Sequence, residues 1–329
     1  MDAKFFDSKS EKCGLCARRC HIPRDSLGFC KVRKNENGVL KALSYGCVTA
    51  AALDPVEKKP LYHFLPASNT FSISGYSCNF SCKHCQNYSL SQNCEAEYYE
   101  FQPEDVVASA KNSGAESISF TYNEPTISYE FVYDVCAAAH KSGLKTALIT
   151  NGYMTEEALT EIAMYLDAIR IDLKAFTDKF YKEVCSAKLQ PVLDTIISAN
   201  EKQIHTELVT LLIPSLNDSA DEINSMLEWE TENLGKAVPH HFTAFTPMYK
   251  MTDVARTSFE TVDRAFRLAK SAGLYYPYVG NIMHSEGSKT YCPNCGELLI
   301  LRAGYVCKTP GLLKGGVCKK CGRKIEGIY

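Results

Sequence analysis

Cysteines at short spacing are the residues of this sequence best suited to carry chemistry. The 329-residue chain contains 16 cysteines, and three of them, Cys78, Cys82 and Cys85, form a C-x3-C-x2-C pattern. Three thiolates spaced in this way can bind three irons of a cubane [4Fe-4S] cluster, which leaves the fourth iron without a protein ligand. Because an open coordination position is typical of catalytic metal sites, the pattern predicts a reactive cluster. A zinc site and a fortuitous group of cysteines are the alternatives.

Two C-x2-C-G motifs lie near the C-terminus, in the segments CPNCG and CKKCG. A glycine after the second cysteine permits a tight turn that directs backbone N–H groups onto the sulfurs. The spacing therefore predicts a tetrahedral zinc site, with an auxiliary iron–sulfur cluster as the alternative. The predicted ligands are Cys292, Cys295, Cys318 and Cys321. Cys307 lies between the two motifs and is surplus to this set.

Four more cysteines follow the pattern C-x2-C-x3-C-x9-C near the N-terminus. They are Cys13, Cys16, Cys20 and Cys30. This pattern suits a tetrahedral zinc, which we prefer here to a second iron–sulfur cluster. Among the isolated cysteines, Cys136 and Cys185 fall in helix-like segments, where we expect them to be small buried apolar side chains.

Composition narrows the class of protein. Hydrophobic residues make up 45% of the chain and charged residues 22%, with a net charge of -2, so nothing points to a nucleic-acid or anionic-membrane partner. No apolar run approaches the length of a membrane span, and the first residues lack the apolar stretch of a secretory signal. We therefore expect a cytoplasmic protein. Thiols stay reduced there, so metal binding is favoured over disulfides.

Alternating strands and helices must position the central cysteines. Between residues 70 and 287, short segments rich in Ile, Val, Leu, Phe and Thr predict six buried strands. These segments are 71–74, 117–120, 146–149, 168–173, 207–213 and 241–245. Helix-length segments separate them, and such alternation implies parallel strands with helices on the outside.

Six βα units are too few to close an eight-fold barrel, so the sequence predicts an α/β fold with a partial (β/α)6 barrel. A doubly wound sheet is the alternative. We expect three domains: a cysteine-rich N-terminal metal-binding segment with a linker (1–69), the partial barrel (70–287) and a zinc-ribbon-like domain (288–329).

The C-x3-C-x2-C pattern directly after the first barrel strand resembles the radical S-adenosylmethionine (SAM) superfamily. The resemblance implies that SAM binds the open iron and is cleaved reductively to methionine and a 5′-deoxyadenosyl radical. That radical takes hydrogen from a substrate that the residues do not identify, and a protein or peptide is one candidate. It also implies an electron donor such as flavodoxin or ferredoxin. No residue is assigned as catalytic.

Two strand-end motifs resemble the SAM-binding residues of glycyl-radical-activating relatives. In FTYNEPT, Asn123 and Glu124 stand where the relatives have Gly-Gly-Glu-Pro. The resemblance implies that Glu124 accepts a hydrogen bond from the SAM ammonium and that a side chain replaces the lost glycine contact. In ITNG, Asn151 is implied to bind the SAM carboxylate or ribose. The alternative for both motifs is an ordinary turn.

Two further motifs extend the same resemblance. IDLK contains Asp172 and Lys174, and the relatives use an Asp there, with a second Asp where this chain has Ile149, to hold a monovalent cation. The alternative is a pair formed by Asp172 and Lys174. In VPHHFTAF, His241 aligns with a histidine near the SAM ribose, with a structural histidine as the alternative.

The whole chain resembles the radical SAM component of the AmmeMemoRadiSam system, a group similar to pyruvate formate-lyase activating enzymes. The resemblance is carried by GFCKVR, LDPVEKKPLYHFLP, CNFSCKHCQN, TYNEPT, TLLIPSLND, VPHHFTAFTPMYKM, YVGN and the final IEGIY. It implies Memo-type and AMMECR-type protein partners. Three functions stay open: a SAM-cleaving enzyme with an unidentified substrate, a glycyl radical enzyme activase, and a non-catalytic metal-binding adaptor.

Overall fold

An eight-stranded sheet organises the chain, whose computed structural model describes residues 1–329. Five short strands precede this sheet. They are β1 (Phe6–Asp7), β2 (Lys12–Cys13), β3 (Arg33–Glu36), β4 (Val39–Ala42) and β5 (Cys47–Val48). The first four form two antiparallel hairpins, β1 with β2 and β3 with β4.

The central region alternates strands and helices as the sequence predicts. Its elements are β6 (Ala50–Pro55), β7 (Asn69–Ser74), α1 (Tyr88–Ser91), β8 (Tyr99–Glu100), α2 (Pro103–Asn112), β9 (Ser117–Phe120), α3 (Tyr129–Lys141), β10 (Lys145–Thr150), α4 (Glu156–Ile162), β11 (Ala168–Asp172), α5 (Asp178–Phe180), α6 (Gln190–Glu201), β12 (His205–Leu212), α7 (Ala220–Asn233), β13 (His240–Ala244), α8 (Phe259–Ser271) and β14 (Pro277–Gly280). A π-helical turn, Tyr181–Cys185, follows α5, and β5 pairs with β8.

The strand order in the sheet is β14-β13-β12-β11-β10-β9-β7-β6. All neighbours from β7 to β14 are parallel, and β6 adds an antiparallel edge. Because the order follows the sequence without a reversal, the doubly wound alternative is wrong. The two edge strands do not pair with each other, so the sheet is open. The predicted α/β fold with a parallel sheet is confirmed.

Two strands of the sheet were not among the six predicted. β14 is a seventh parallel strand, and β6 extends the sheet back to residue 50, inside the segment interpreted as a linker. β6 is an edge strand with alternating exposure, and it lacks the continuous apolar run that identifies the buried strands. The barrel sheet therefore begins before residue 70.

Proline and serine residues mark the first turns of three helices. Pro103 occupies the first position of α2, where its missing N–H has no cost. Ser219 and Ser258 cap α7 and α8 by accepting hydrogen bonds from backbone N–H groups in the first turn. No helix is both long enough and apolar enough to cross a bilayer.

The C-terminal region forms small antiparallel sheets against the barrel. Its strands are β15 (Thr290–Tyr291), β16 (Leu298–Ala303), β17 (Val306–Lys308), β18 (Leu312–Leu313) and β19 (Val317–Cys318). The chain end then returns to the segment between β6 and β7. Ile328 donates to the carbonyl of His63 at 2.7 Å, and its own carbonyl accepts from Leu65 at 2.7 Å.

Candidate active site

A cavity of about 1050 Å³ opens at the carboxyl ends of the parallel strands. Its lining includes Cys78, Cys82 and Cys85, on the loop that follows β7. We call residues 78–85 the central cysteine loop. In parallel α/β folds, ligands bind outside the carboxyl ends of the strands, so this is the expected place for chemistry. Ordinary ligand pockets enclose roughly 300–1000 Å³, so this cavity has room for a cofactor and a further molecule.

The central cysteine loop is held by the π-helical turn after α5. Ser81 and Lys83 donate backbone N–H groups to the carbonyls of Cys185 and Val184, at 3.1 and 2.9 Å. Cys185 is fully buried, as expected from the sequence, but its contact with the cysteine loop was not foreseen, because the spacing between the two segments carries no pattern.

Polar groups surround the other two sulfurs. The backbone N–H of Phe80 lies 3.3 Å from Cys78 Sγ, and the hydroxyl of Ser91 lies 3.0 Å from Cys85 Sγ. Burial, together with the nearby carboxylate of Glu124, raises the pKa of Cys78 well above its usual value. A metal centre supplies the positive charge that favours a thiolate here, and a three-thiolate donor set fits a [4Fe-4S] cluster.

Asn123 connects the end of β9 to the start of the central cysteine loop. Its amide oxygen accepts from the N–H of Gly75 at 3.1 Å, and its amide nitrogen donates to the carbonyls of Tyr76 and Ser77 at 3.2 Å. The side chain predicted to bind the cofactor thus positions the loop that carries the cysteines. The neighbouring Tyr122 has φ +69°, a left-handed conformation that glycine adopts at no cost.

Glu124 is buried and joins the ends of β9 and β10. Its Oε1 accepts from the hydroxyls of Thr126 and Thr150 at 2.6 and 2.7 Å, and its Oε2 accepts from the N–H of Asn151 at 2.8 Å. Asn151 in turn donates to the amide oxygen of Asn79, at 2.7 Å. Glu124 and Asn151 therefore lie together in the cavity wall, with most of their hydrogen-bonding capacity used within the protein.

Asp172 and Lys174 lie together at the end of β11 and line the cavity. Asp172 Oδ2 accepts from Lys174 Nζ at 3.0 Å, and Oδ1 forms an ion pair with Arg170. Both carboxylate oxygens are thus paired with side-chain cations, as the pairing alternative describes. Lys174 Nζ makes no other hydrogen bond, so two of its N–H groups are available to a ligand.

His241 is buried on β13 and is not part of the cavity lining. Its Nε2 is 2.7 Å from Glu207 Oε2, and its ring packs edge-on against Tyr62. Because side chains two residues apart share a face of a strand, His241 lies on the same face as the cavity-lining Thr243, one layer farther from the carboxyl ends of the strands. In this structure its side chain belongs to a buried network with Glu207.

Comparison with known proteins agrees with this geometry. The sequence profile of the Radical SAM superfamily matches residues 72–229, which span the sheet from β7 through α7. An uncharacterized protein of Methanocaldococcus jannaschii, MJ0808, is 43% identical over 331 residues, covering 99% of this chain and 98% of the relative. This chain belongs to the radical SAM superfamily. Membership implies a [4Fe-4S] cluster and SAM as cofactors, and radical SAM proteins are generally enzymes.

More distant relatives place the chain within the superfamily. The pyruvate formate-lyase 1-activating enzyme of Escherichia coli is 22% identical over 175 residues, covering 49% of this chain and 71% of that enzyme. The chain is thus homologous to glycyl-radical enzyme activases. Among solved structures, Streptococcus suis SuiB bound to S-adenosylmethionine has a TM-score of 0.52 at 14% identity, covering 70% of this chain and 53% of SuiB. This likeness shows a shared fold.

A buried charge network in the wall of this radical SAM cavity was not predicted. Asp54, at the end of β6, accepts from Lys58 and Lys59 at 2.6 Å each and from the hydroxyl of Tyr122 at 2.6 Å. Desolvation lowers the pKa of Lys59 to about 8. The Lys-Lys pair before Pro60 was interpreted as part of a linker, and only the pairing of β6 with β7 brings it to the cavity.

The cysteines near the C-terminus converge closely. Cys292 Sγ lies 3.6 Å from Cys321 Sγ, and Cys295 Sγ lies 3.7 Å from Cys318 Sγ. All four sulfurs lie within 4.8 Å of one another. We call Cys292, Cys295, Cys318 and Cys321 the C-terminal cysteine set. Cys307 is not a member of it.

The cysteines near the N-terminus are arranged more widely. Cys13, Cys16, Cys20 and Cys30, which we call the N-terminal cysteine set, form no group of sulfurs within 4.8 Å. Cys13 and Cys30 are buried, Cys16 and Cys20 are half-buried, and none forms a disulfide. The cysteines of the central loop likewise form no group within 4.8 Å.

Proposed function

We propose that this chain is a SAM-cleaving enzyme in which Cys78, Cys82 and Cys85 hold a [4Fe-4S] cluster. The observation that carries the proposal is the position of the central cysteine loop. It lies directly after β7, at the carboxyl end of a parallel sheet, and lines a cavity of about 1050 Å³. A three-cysteine set in this place leaves one iron open to a cofactor.

When bound, the cluster supplies the electron that cleaves SAM to methionine and a 5′-deoxyadenosyl radical, which takes hydrogen from the substrate. The chain's own residues bind and orient. Lys174 has two free N–H donors for an anionic group such as the SAM carboxylate. Glu124 fixes the relative position of the β9 and β10 ends, so that Asn151 faces the cavity beside Cys78.

The substrate space lies between the central cysteine loop and the C-terminal region. Arg302, Ala303, Gly304 and Tyr305, at the turn between β16 and β17, line the cavity. Lys58 and Lys59 line the same cavity. A substrate bound here would therefore contact side chains outside the matched superfamily residues 72–229, and we propose these side chains as determinants of its specificity.

Homology to glycyl-radical enzyme activases supports one alternative substrate, a backbone glycine of a partner enzyme. That alternative predicts a stable glycyl radical in the partner, detectable by electron paramagnetic resonance (EPR) after incubation with SAM and reductant. Transfer of hydrogen from a small molecule into deoxyadenosine, without a protein radical, would contradict it.

We also propose Memo-type and AMMECR-type proteins as partners. The ordered motifs along the whole chain support this, from GFCKVR to the final IEGIY. Size-exclusion chromatography of the mixed purified proteins tests it, with co-elution as the expected result. Separate elution at micromolar concentrations of each protein would contradict a stable complex.

For the C-terminal cysteine set we propose zinc. With Zn–S bonds of about 2.3 Å, tetrahedral geometry separates neighbouring sulfurs by about 3.8 Å, and the measured separations are 3.6 and 3.7 Å.

The test of SAM cleavage is anaerobic. The protein is reconstituted with iron and sulfide, then given SAM and dithionite, and deoxyadenosine and methionine are quantified by chromatography with mass detection. We expect both products from the parent protein and neither from Cys82→Ala. Cys94→Ser, which changes an exposed cysteine outside the three sets, is the matched control and should behave as the parent does.

EPR provides a second measurement that does not depend on turnover. SAM binding at an open iron changes the spectrum of the reduced cluster. A parent protein with a reducible [4Fe-4S] cluster, no spectral change with SAM and no deoxyadenosine would contradict the proposal. A protein that binds zinc alone would favour the non-catalytic adaptor.

A further inference from the structure

The N-terminal cysteine set packs directly against the central cysteine loop. The hydroxyl of Ser77 donates to the carbonyl of Cys30 at 2.7 Å, in a buried contact. On the other side, the Arg18 guanidinium donates to the carbonyl of Asn79. The two segments that carry the N-terminal set thus hold the residues on either side of Cys78.

Asn79 is the residue of the central cysteine loop that meets the N-terminal segment. Its side chain is fully buried, and its amide oxygen lies 3.8 Å from Cys78 Sγ. Its amide nitrogen is buried and has no hydrogen-bond partner in the protein. Because Arg18, two residues after Cys16, donates to the Asn79 carbonyl, a centre held by the N-terminal set would lie beside the central cysteine loop.

The N-terminal cysteines lie on a segment that folds back on itself. The backbone N–H of Cys13 donates to the carbonyl of Cys20 at 2.9 Å, which closes the loop between them. Cys13 and Cys30 are buried, Cys16 and Cys20 are half-buried, and none forms a disulfide. Four thiols held without disulfides in one short segment suit a metal centre.

A buried cation accompanies the set. Arg33 is 1% exposed and stands three residues after Cys30 in the sequence. Two of its nitrogens are bonded to Lys4 and Glu130, while the buried Nε has no partner. A guanidinium N–H in this position suits a polyanionic centre, because an unpartnered buried donor is costly.

Sulfur spacing distinguishes which centre fits. A single tetrahedral zinc draws four sulfurs to within about 4 Å of one another, and the C-terminal cysteine set has this compactness. In a cubane cluster each cysteine sulfur binds its own iron, and bridging sulfides join the irons, so the ligand sulfurs lie farther apart than around a single metal ion. The N-terminal set has the wider arrangement, as do the three cysteines of the central loop.

We propose that Cys13, Cys16, Cys20 and Cys30 bind a second [4Fe-4S] cluster, in place of the zinc favoured from their spacing in the sequence. We further infer that this cluster passes electrons to the first, a role that rests on the proposed function. One electron from a low-potential donor protein of the flavodoxin or ferredoxin class reduces the second cluster. The second cluster then passes this electron to the first cluster. No bond is formed or broken, and no proton is transferred.

The decisive variant leaves the N-terminal set intact. In Cys78→Ala/Cys82→Ala/Cys85→Ala, we expect reconstitution to yield about four iron and four sulfide per chain, half of the parent's about eight. Zinc should be equal in both proteins. A triple variant without iron, in which zinc fills the N-terminal set, would overturn the proposal.

EPR and a donor protein then test the coupling. The triple variant should show a reduced-cluster spectrum that SAM leaves unchanged. Cys20→Ala should lose that component, keep the SAM-sensitive one, and lose reduction by flavodoxin while retaining reduction by dithionite; Cys94→Ser is the control. Reduction of Cys20→Ala by flavodoxin at the parent's rate would overturn the electron-transfer role.

These outcomes separate the two proposals. Iron in the triple variant, with no deoxyadenosine from the parent, would leave the second cluster standing and refute SAM cleavage. Deoxyadenosine from the parent, with no iron in the triple variant, would do the reverse.

Discussion

The two terminal cysteine sets contain four cysteines each and differ in compactness and in neighbours. The C-terminal set lies within 4.8 Å and packs on strands that form their own small sheets. The N-terminal set is wider and abuts the central cysteine loop. Four sulfurs close together in a self-contained region are typical of a structural zinc site. A wider set that packs against the central cysteine loop is instead consistent with the second cluster that we propose. Spacing along the chain does not separate these cases, since both sets contain C-x2-C.

The sets also differ in how the barrel holds them. Each region inserts one buried arginine into the barrel. Arg33 forms a 2.5 Å ion pair with Glu130 of α3, whereas Arg302 stacks on Tyr62 at 4.0 Å and lies 3.9 Å from Glu57. The N-terminal region is therefore anchored mainly by charge and the C-terminal region mainly by packing. Four predictions sharpen or break this comparison.

Removing the metal from the C-terminal set has the largest expected effect. Structural zinc contributes about 10–16 kcal/mol of apparent binding free energy, so the zinc proposed for this set predicts that Cys295→Ser/Cys318→Ser binds no zinc there and unfolds residues 288–329. Hydrogen exchange should show loss of protection in β16 with retention in β10. Cys307→Ser, outside the set, is the control. If hydrogen-exchange protection of β16 were unchanged in the variant, a structural role for this set would be contradicted.

The second largest loss of stability is expected from replacing Arg33, which anchors the N-terminal region through Glu130. Arg33→Ala leaves Glu130 buried without its cation, which typically costs about 3–5 kcal/mol of unfolding free energy. The urea unfolding midpoint measures the loss. Lys34→Ala removes an exposed charge paired with Glu36 at 3.3 Å and should cost less than about 1 kcal/mol. Equal effects of the two variants would show that Arg33 is not an anchor.

Replacing Arg302, which anchors the C-terminal region, should destabilise the protein less than replacing Arg33. Arg302→Ala removes hydrogen bonds to the carbonyl of Tyr62 and the hydroxyl of Thr290, together with the stacking on Tyr62. Because the carboxylate of Glu57 lies at the limit of ion-pair distance, we expect a loss of about 2–3 kcal/mol in unfolding free energy. Arg323→Ala, a more exposed arginine of the same region, is the control. A loss larger than that of Arg33→Ala would reverse the comparison.

Acid should loosen the contact between the chain end and the barrel. Burial lowers the pKa of His63 from 6.5 to about 4, against the opposing effects of Glu207 and of the Glu326 carbonyl, while His205 and Arg302 lower it further. The unfolded chain thus binds a proton between pH 6.5 and 4 that the folded chain does not. Stability from this group is complete above pH 6.5 and falls by about 2 kcal/mol by pH 5.

Unfolding in urea at pH 7.5 and pH 5 measures this loss. His63→Gln should remove that part of the pH dependence, whereas His21→Gln, an exposed histidine, should preserve it. A His63→Gln protein with the parent's pH dependence would show that the contact is not governed by this proton.

The sequence by itself determined the six inner strands, their parallel direction and the position of the central cysteines directly after the first of them. Those features are local, since a fully buried strand is a short apolar run and a metal-binding loop is a spacing of a few residues. It also placed Glu124, Asn151, Asp172 and Lys174 at strand ends, which a parallel sheet gathers at one edge whatever their detailed contacts.

Tertiary structure decided what those residues touch. β6 became an edge strand because of its pairing with β7, and this brought Lys59 to the cavity. His241 is hydrogen bonded to Glu207 in a buried network, and Asn123 is hydrogen bonded to the start of the segment that leads into the central cysteine loop. The packing of the N-terminal set against Asn79 likewise joins segments that are far apart in the chain. Hydrogen-bond partners of this kind depend on the fold bringing distant segments together, and no local pattern in the sequence records them.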